Sequence, residues 1–248
     1  MKIENGIHIG TSGWNYDGWK GAFYPEKIGR PRMLEAYGQI FDSVEVNGTF
    51  YSLPKSTTVE EWREKVPDNF VFSVKASRYI THMKKLKDPR EPLGNLYGIL
   101  EAYGGRLGPV LFQLPPSWRI DSGRLKNFLE NLSRKYRYAF EFRDDSWHCK
   151  DVYDLLSRHN AALCFYDYEQ HQSPHKTTTD FAYIRLHGPQ AQAYKGSYRD
   201  DVLEGWARKI LNRRKNGQSV FCYFDNDDKA CAPRDAQRLR KMIREMDH

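Results

Sequence analysis

Cysteine is scarce, four residues in 248, and none of the four stands in a Cys-x-x-Cys pair or another metal-binding spacing. Cys149, Cys164, Cys222 and Cys231 are expected as reduced thiols, two of them inside apolar runs where a free cysteine packs as a small hydrophobe. Long hydrophobic runs are missing too. Nothing approaches the roughly 18 apolar residues of a membrane span, and Met1–Gly6 carries no apolar signal core. The expectation is a soluble, cytoplasmic chain with no membrane partner. No Gly-x-Gly-x-x-Gly follows a strand and no Walker loop occurs, which removes the usual nucleotide cradles. His-x-His, His-Glu-x-x-His and Gly-x-Ser-x-Gly are also absent, so the sequence names no metal site, no serine nucleophile and no cofactor. Disorder is excluded by 14% aromatic residues and by apolar runs spread along the whole chain.

What is present is a charge excess and a rhythm. Lys plus Arg number 39 against 32 Asp plus Glu, a net +7. That balance suits nucleic acid or a phosphate- or carboxylate-bearing substrate, and equally a mildly basic solvated surface. β-rich runs recur at Gly6–Trp14, Phe41–Phe50, Phe70–Ser77, Leu107–Pro115, Arg137–Trp147, Ala161–Asp167, Phe181–Gly188 and Ser219–Asn226. Helical patterns lie between them at Arg32–Ile40, Thr57–Val66, Leu93–Tyr103, Arg124–Tyr136, Val152–His159, Arg199–Asn216 and Arg234–Ile243. Thr57 and Glu60 read as a capping box, and Asp121 or Ser122 as the cap of the next apolar-faced helix. Only the sixth strand lacks a following helix; Tyr168–Asp180 is polar and predicts a long loop. Alternating strands and helices imply right-handed crossovers and a parallel sheet. Eight units predict an α/β fold, a single (β/α)8 TIM-barrel-like domain over residues 1–248, in preference to an open doubly wound sheet.

Strands of a parallel barrel are ordinarily apolar on both faces. Here one parity is polar: Glu45 and Asn47, then Ser73 and Lys75, Gln113, Glu141 and Arg143, Tyr183, Arg185 and His187, and Tyr223 and Asp225. Alternate side chains point to opposite faces of a strand. If the apolar parity meets the outer helices, the polar one enters the barrel, mostly at the C-terminal strand ends where barrel active sites lie. Three acids (Glu45, Glu141, Asp225), three bases (Lys75, Arg143, Arg185) and His187 would then converge. Such a cluster is costly unless paired; it serves either a ligand or a self-neutralising network. A metal held by Glu45, Glu141, Asp225 and His187 is disfavoured by the three cations. Strand-end aromatic residues, among them Trp14, Tyr16, Trp147, Tyr168 and Tyr194, could stack on sugars or bases. Gly10-Thr11-Ser12-Gly13-Trp14 offers amides to a phosphate or carboxylate, or else forms a tight turn. The Thr81–Lys87 loop adds three lysines beside the mouth.

These same segments resemble the domain-of-unknown-function 72 family, the bacterial YecE-like proteins, over nearly the entire chain. The resemblance runs through Gly10–Trp14, Phe23-Tyr24-Pro25, Val44–Asn47, Thr49-Phe50-Tyr51, Phe72–Lys75, Ile80-Thr81-His82, Gln113-Leu114-Pro115, Glu141-Phe142-Arg143, Ser146-Trp147 and Tyr183–Gly188. It implies a barrel related to the (β/α)8 fold and supplies no reaction. Where the family carries Asn-Asn after the last strand, this chain has Asp225-Asn226, which adds an acid.

The reading that follows is an enzyme, a hydrolase or lyase, acting on a small or terminal anionic substrate at the C-terminal mouth. Glu45 and Glu141 are the expected acid/base pair and His187 the proton carrier. Ser12, Trp14, Asn47, Lys75, Gln113, Arg143, Trp147, Arg185, Tyr223 and Asp225 are the expected substrate contacts. The alternative is a nucleic-acid-binding protein using a basic, aromatic-rimmed mouth, with or without catalysis.

Overall fold

A computed structural model describes residues 6–168 and 171–247. Eight parallel strands form the barrel: β1 (Ile7–Thr11), β2 (Ser43–Val46), β3 (Val71–Lys75), β4 (Leu107–Gln113), β5 (Tyr138–Glu141), β6 (Ala161–Tyr168), and, after a two-residue strand β7 (His171–Gln172), β8 (Phe181–Leu186) and β9 (Ser219–Phe224). Pairing runs β1-β9-β8-β6-β5-β4-β3-β2, and β7 turns back antiparallel on the end of β6. The outer layer holds α1 (Arg30–Gly38), α2 (Gly48–Tyr51), α3 (Ser56–Glu64), α4 (Arg90–Tyr103), α5 (Ser122–Glu130), α6 (Lys150–Arg158), α7 (Asp200–Lys215) and α8 (Cys231–Met246). None of the described helices is long and apolar enough to cross a membrane.

The sheet nearly closes between β1 and β2. There the contact is a single parallel bridge, Ser12 to Glu45, with the Gly13 amide donating to the Glu45 carbonyl at 2.8 Å. The approach requires glycine at position 10, because a Cβ there would lie 2.0 Å from the Ser43 carbonyl oxygen. Tyr37 from α1 stitches the same seam: its hydroxyl accepts the Thr11 amide at 2.9 Å and donates to the Ser43 carbonyl at 3.1 Å.

Among the described residues, the segment after β6 contains no helix, as its polarity predicts. Its side chains instead complete β6: Ser173 Oγ accepts the Tyr166 amide at 2.8 Å and Thr178 Oγ1 accepts the Leu163 amide at 2.9 Å. The expected Thr57–Glu60 capping box does not form, because α3 begins one residue earlier and its N-cap, Lys55, offers no side-chain bond. Asp121 does cap α5, accepting the Arg124 amide at 2.9 Å. The expected helix Arg124–Tyr136 stops at Glu130, and the chain turns there so that the Ser133 amide reaches the Tyr97 hydroxyl at 2.9 Å.

Two cores result from strand parity. Outward residues such as Val44, Phe72, Phe140, Phe142 and Ile184 pack under the helices. Inward residues, among them Val71, Leu111, Ala139, Phe181, Phe221 and Tyr223, form a separate cluster inside the barrel. Above that plug the interior turns polar.

Candidate functional site at the C-terminal mouth

Arg185 of β8 is the centre of the polar layer and is wholly buried. Its Nε donates to both oxygens of Glu45, at 3.2 and 3.0 Å. Nη2 reaches Glu45 Oε1 at 2.8 Å and Asp225 Oδ2 at 2.9 Å; Nη1 reaches Glu141 Oε2 at 2.9 Å and His187 Nε2 at 3.3 Å. A guanidinium has five N–H donors in a fixed fork. All five point at acceptors within the barrel, so Arg185 has none left for a ligand.

Its partners are equally occupied. Glu45 also receives Ser12 Oγ at 2.6 Å and the Tyr183 hydroxyl at 2.7 Å. Glu141 accepts from Arg143 Nε as well as from Arg185. Burial alone would raise the Glu141 pKa, but the Arg143 and Arg185 guanidiniums outweigh it and hold the carboxyl well below the usual range. Glu141 is therefore a fixed anion and not an acid that gives up a proton near neutrality. His187 is neutral, since burial, then Arg143 and Arg185, push its pKa down. Its Nε2 faces the donors Arg143 Nη2 (3.0 Å) and Arg185 Nη1. That assigns the proton to Nδ1, 3.0 Å from Asp225 Oδ2, although the pair lacks hydrogen-bond alignment.

Lys75 and Asp227 remain uncommitted, while Asp225 is bound by Arg185 through Oδ2. Lys75, at the end of β3, makes no ion pair or hydrogen bond through Nζ among the described residues; its ammonium lies 4.6 Å from the centroid of the Phe50 ring. Burial and then Arg185 bring its pKa down to about 8, against the opposing pull of Asp225, Glu45 and Glu141. Asp225 is raised by burial, with Arg185 and Lys75 opposing. Asp227, two residues on, is raised to about 7 by burial and by Asp225, and its Oδ1 is buried without a partner. Beside this layer lies a cavity of ≈ 280 Å³ bounded by Gln113, Arg143, Asp145, Tyr166, Tyr168 and Tyr194. Arg143 forms one wall, its guanidinium 3.8 Å from the Tyr168 ring centroid. A larger depression of ≈ 530 Å³, edged by Leu129, Tyr136 and Arg158, lies outside the barrel and includes none of these groups. Among the described residues, no three His, Cys, Asp or Glu side chains are grouped to hold a metal.

Of the contacts expected from sequence, Ser12, Glu45, Glu141, Arg143, Arg185, His187 and Asp225 form one network, with Lys75 in its field and Gln113 at the cavity. Asn47 is half-buried with an unpartnered Oδ1. Trp14 is half-buried and packs edge-on to Trp62, with ring centroids 5.1 Å apart. Trp147 is not brought to the mouth: it is wholly buried, stacked on Phe142, with Nε1 donating to the Trp118 carbonyl at 2.6 Å. Tyr223 lies lower in the barrel, its hydroxyl 2.6 Å from Ser43 Oγ and 2.8 Å from Ser73 Oγ. The amides of Thr11, Ser12 and Gly13 are taken by Tyr37, Phe224 and Glu45, so this turn closes the barrel and presents no amide nest. The expected set omits Asp227 and Tyr183. Tyr183 continues the inward parity marked by Arg185, whereas Asp227 lies past the end of β9 in helical backbone and only its nearness to Asp225 in the chain could have marked it.

The raised Asp227 pKa has a measurable consequence. An acid whose folded pKa exceeds its unfolded value, about 3.9, favours folding at low pH and loses that contribution as pH rises towards about 7. Asp227→Asn removes the loss. Its stability advantage over wild type should grow by about 1–2 kcal/mol between pH 5 and pH 8, discounted for partial exposure. Urea midpoints at the two pH values measure this, and a constant difference would contradict it.

The family described as "Protein of unknown function DUF72" matches residues 8–248. The UPF0759 protein YunF of Bacillus subtilis is 23% identical over 96% of this chain and 94% of its own length. The UPF0759 protein YecE of Escherichia coli is 29% identical over 58% of this chain and 51% of its own length. A crystal structure of a DUF72 family protein from Thermotoga maritima superposes with a TM-score of 0.87 at 28% identity, covering 96% of this chain and 99% of that one. One from Enterococcus faecalis gives a TM-score of 0.80 at 17% identity, covering 96% of this chain and 95% of that one, and bears on the fold alone.

Proposed function

The chain belongs to the DUF72 family, which is described without a reaction, and from that premise we propose a function read from its own residues. The protein is an enzyme that takes a small substrate bearing a carboxylate or phosphate at the C-terminal mouth. Lys75 and the cavity-facing edge of Arg143 meet the substrate's charge, while Asp227 and Asp225 move protons. This moves the acid–base work away from Glu45 and Glu141, whose carboxylates are engaged by guanidiniums, and from His187, whose Nε2 faces two of them. Those three hold the frame.

The observation that carries this reading is Lys75. Every other central cation is bound to a carboxylate, yet this ammonium has no acidic partner within hydrogen-bond distance among the described residues. An unpaired ammonium in a partly desolvated ring is costly, and an incoming anion relieves that cost. Proton transfer suits Asp227, since a catalytic group works best with a pKa near the working pH.

Phosphate- and carboxylate-bearing metabolites are therefore expected to raise the melting temperature of the wild type. Lys75→Ala and Arg143→Ala should lose that shift while remaining folded by circular dichroism. No shift across a broad anionic panel would remove the small-substrate reading. Nucleic-acid binding has one observation in its favour: the Tyr79 ring is 45% exposed with Lys84 Nζ 6.0 Å from its centroid. Salt-steep binding of an oligonucleotide, with no shift from small anions, would transfer the assignment to that reading.

A further inference from the structure

We propose that Lys75 is a covalent amine, condensing through Nζ with the carbonyl carbon of an aldehyde or ketone that carries a carboxylate or phosphate. The inference deepens the anionic-substrate reading and rests on it.

Placement comes first. Strand parity turns Lys75 into the ring that contains Glu45, Glu141, Arg185 and Asp225, and the Thr49 hydroxyl holds its backbone by donating to the Lys75 carbonyl at 2.6 Å. Two arginines already neutralise the ring's glutamates, so a third fixed cation adds no pairing. Lysine differs from arginine in being able to lose its proton when desolvated, which is the property an amine nucleophile needs. The surroundings favour that loss. The ammonium is partly withdrawn from water, lies over the Phe50 ring instead of a carboxylate, and shares its field with Arg185. Asp225, Glu45 and Glu141 pull the other way, and His82 and His187 are the remaining titratable groups coupled to it. With a pKa brought down to about 8, roughly a tenth of the amine is free at pH 7.

The step balances with groups already present and one proton from solvent. The neutral Nζ lone pair forms a C–N bond as the carbonyl π electrons move to oxygen. Nζ passes a proton to Asp225, which hands it to that oxygen. The resulting hydroxyl takes a second proton from solvent and leaves as water, giving a protonated imine beside Asp225. A cationic imine draws electrons from the neighbouring carbon, so the bond broken next is C–H or C–C at that carbon. That places the reaction among lyases or isomerases and fits hydrolysis poorly.

Reductive trapping tests this. The full chain is incubated with pyruvate or glyoxylate and sodium cyanoborohydride, and the adduct is located by intact mass and peptide mapping. One adduct per chain is expected at Lys75 at pH 7. It should form at least about tenfold faster than at Lys84, Lys85 or Lys87, with a rate that levels off above about pH 8. Lys75→Arg, checked for an unchanged melting curve, should lose it. Adducts spread evenly over the lysines, or unchanged in Lys75→Arg, overturn the proposal. Lactate and inorganic phosphate, which have no carbonyl, separate the two readings. If they shift the melting temperature but no Lys75 adduct forms, the covalent step falls and the anion site stands. If they produce no shift, the anion site itself falls.

Discussion

Arg185→Met is expected to cost about 3–5 kcal/mol of folding free energy, the penalty for removing one partner of a buried charge network. Methionine fills a similar volume, so lost packing contributes little. What remains is Glu45, Glu141 and Asp225 facing one another in a space none of them can leave, all now without the guanidinium that gives them five hydrogen bonds. With a total stability of about 5–15 kcal/mol for an ordinary domain, a loss of this size lowers the urea midpoint severely. The pH dependence should also reverse. In the wild type, Glu141 has a folded pKa below its unfolded one, so its contribution is present above about pH 4.5 and is lost as the solution is acidified. Without Arg185 the crowded carboxyls favour protonation, and stability falls as pH rises from about 4 to 7. Adding Glu45→Gln and Glu141→Gln to the variant should recover part of the loss. A single Arg185→Met variant within about 1 kcal/mol of wild type, with unchanged pH dependence, would show that the network is not needed to hold the barrel interior together.

Gly10→Ala is expected to cost about 3 kcal/mol or more, for a steric reason. The added Cβ would sit 2.0 Å from the Ser43 carbonyl oxygen and 2.8 Å from the Tyr37 hydroxyl. Neither can withdraw cheaply. The first is backbone in β2, and the second already bonds Thr11 and Ser43. Over-packing a core commonly costs about 1–3 kcal/mol, and an immovable backbone atom places this site at or above that range. Gly205→Ala is the internal control. A Cβ there meets nothing within 4 Å, and the residue lies inside α7, where alanine should gain about 0.5–1 kcal/mol. Denaturant midpoints of the two variants should move in opposite directions. A neutral Gly10→Ala would mean that β1 and β2 do not approach as closely as described.

The fold was legible in the chain because parity is a local property. Glu45 between Val44 and Val46, Glu141 between Phe140 and Phe142, and Arg185 between Ile184 and Leu186 each declare an inside and an outside without reference to any distant residue. The polar run after β6 and the Asp121 cap are local in the same sense. Roles within the cluster are not. Arg185 and Glu45 stand 140 positions apart, and whether a carboxylate is free or saturated depends on which donors the closed barrel delivers to it. Hence Glu45, Glu141 and His187 read from sequence as reactive groups, although in the folded chain guanidiniums engage both carboxylates and the histidine Nε2. The charge of Asp227 depends on its burial and then on the nearness of Asp225, and the availability of Lys75 on the absence of a partner among the described residues. Trp147 illustrates a third kind of ambiguity. A tryptophan just past a strand end has the same sequence signature whether it stacks on a ligand or on Phe142.

The seam between β1 and β2 gives Glu45 a second job. Its backbone carbonyl takes the Gly13 amide, and its side chain takes Ser12 Oγ, both across the gap where the sheet meets itself. The barrel is in this respect a curled ribbon fastened by the Tyr37 hydroxyl between Thr11 and Ser43 and, at the mouth end, by the carboxylate that also orients Arg185. Sheet closure and the aim of the central guanidinium thus share one side chain: the carboxylate that accepts Ser12 Oγ also accepts three of the Arg185 hydrogen bonds.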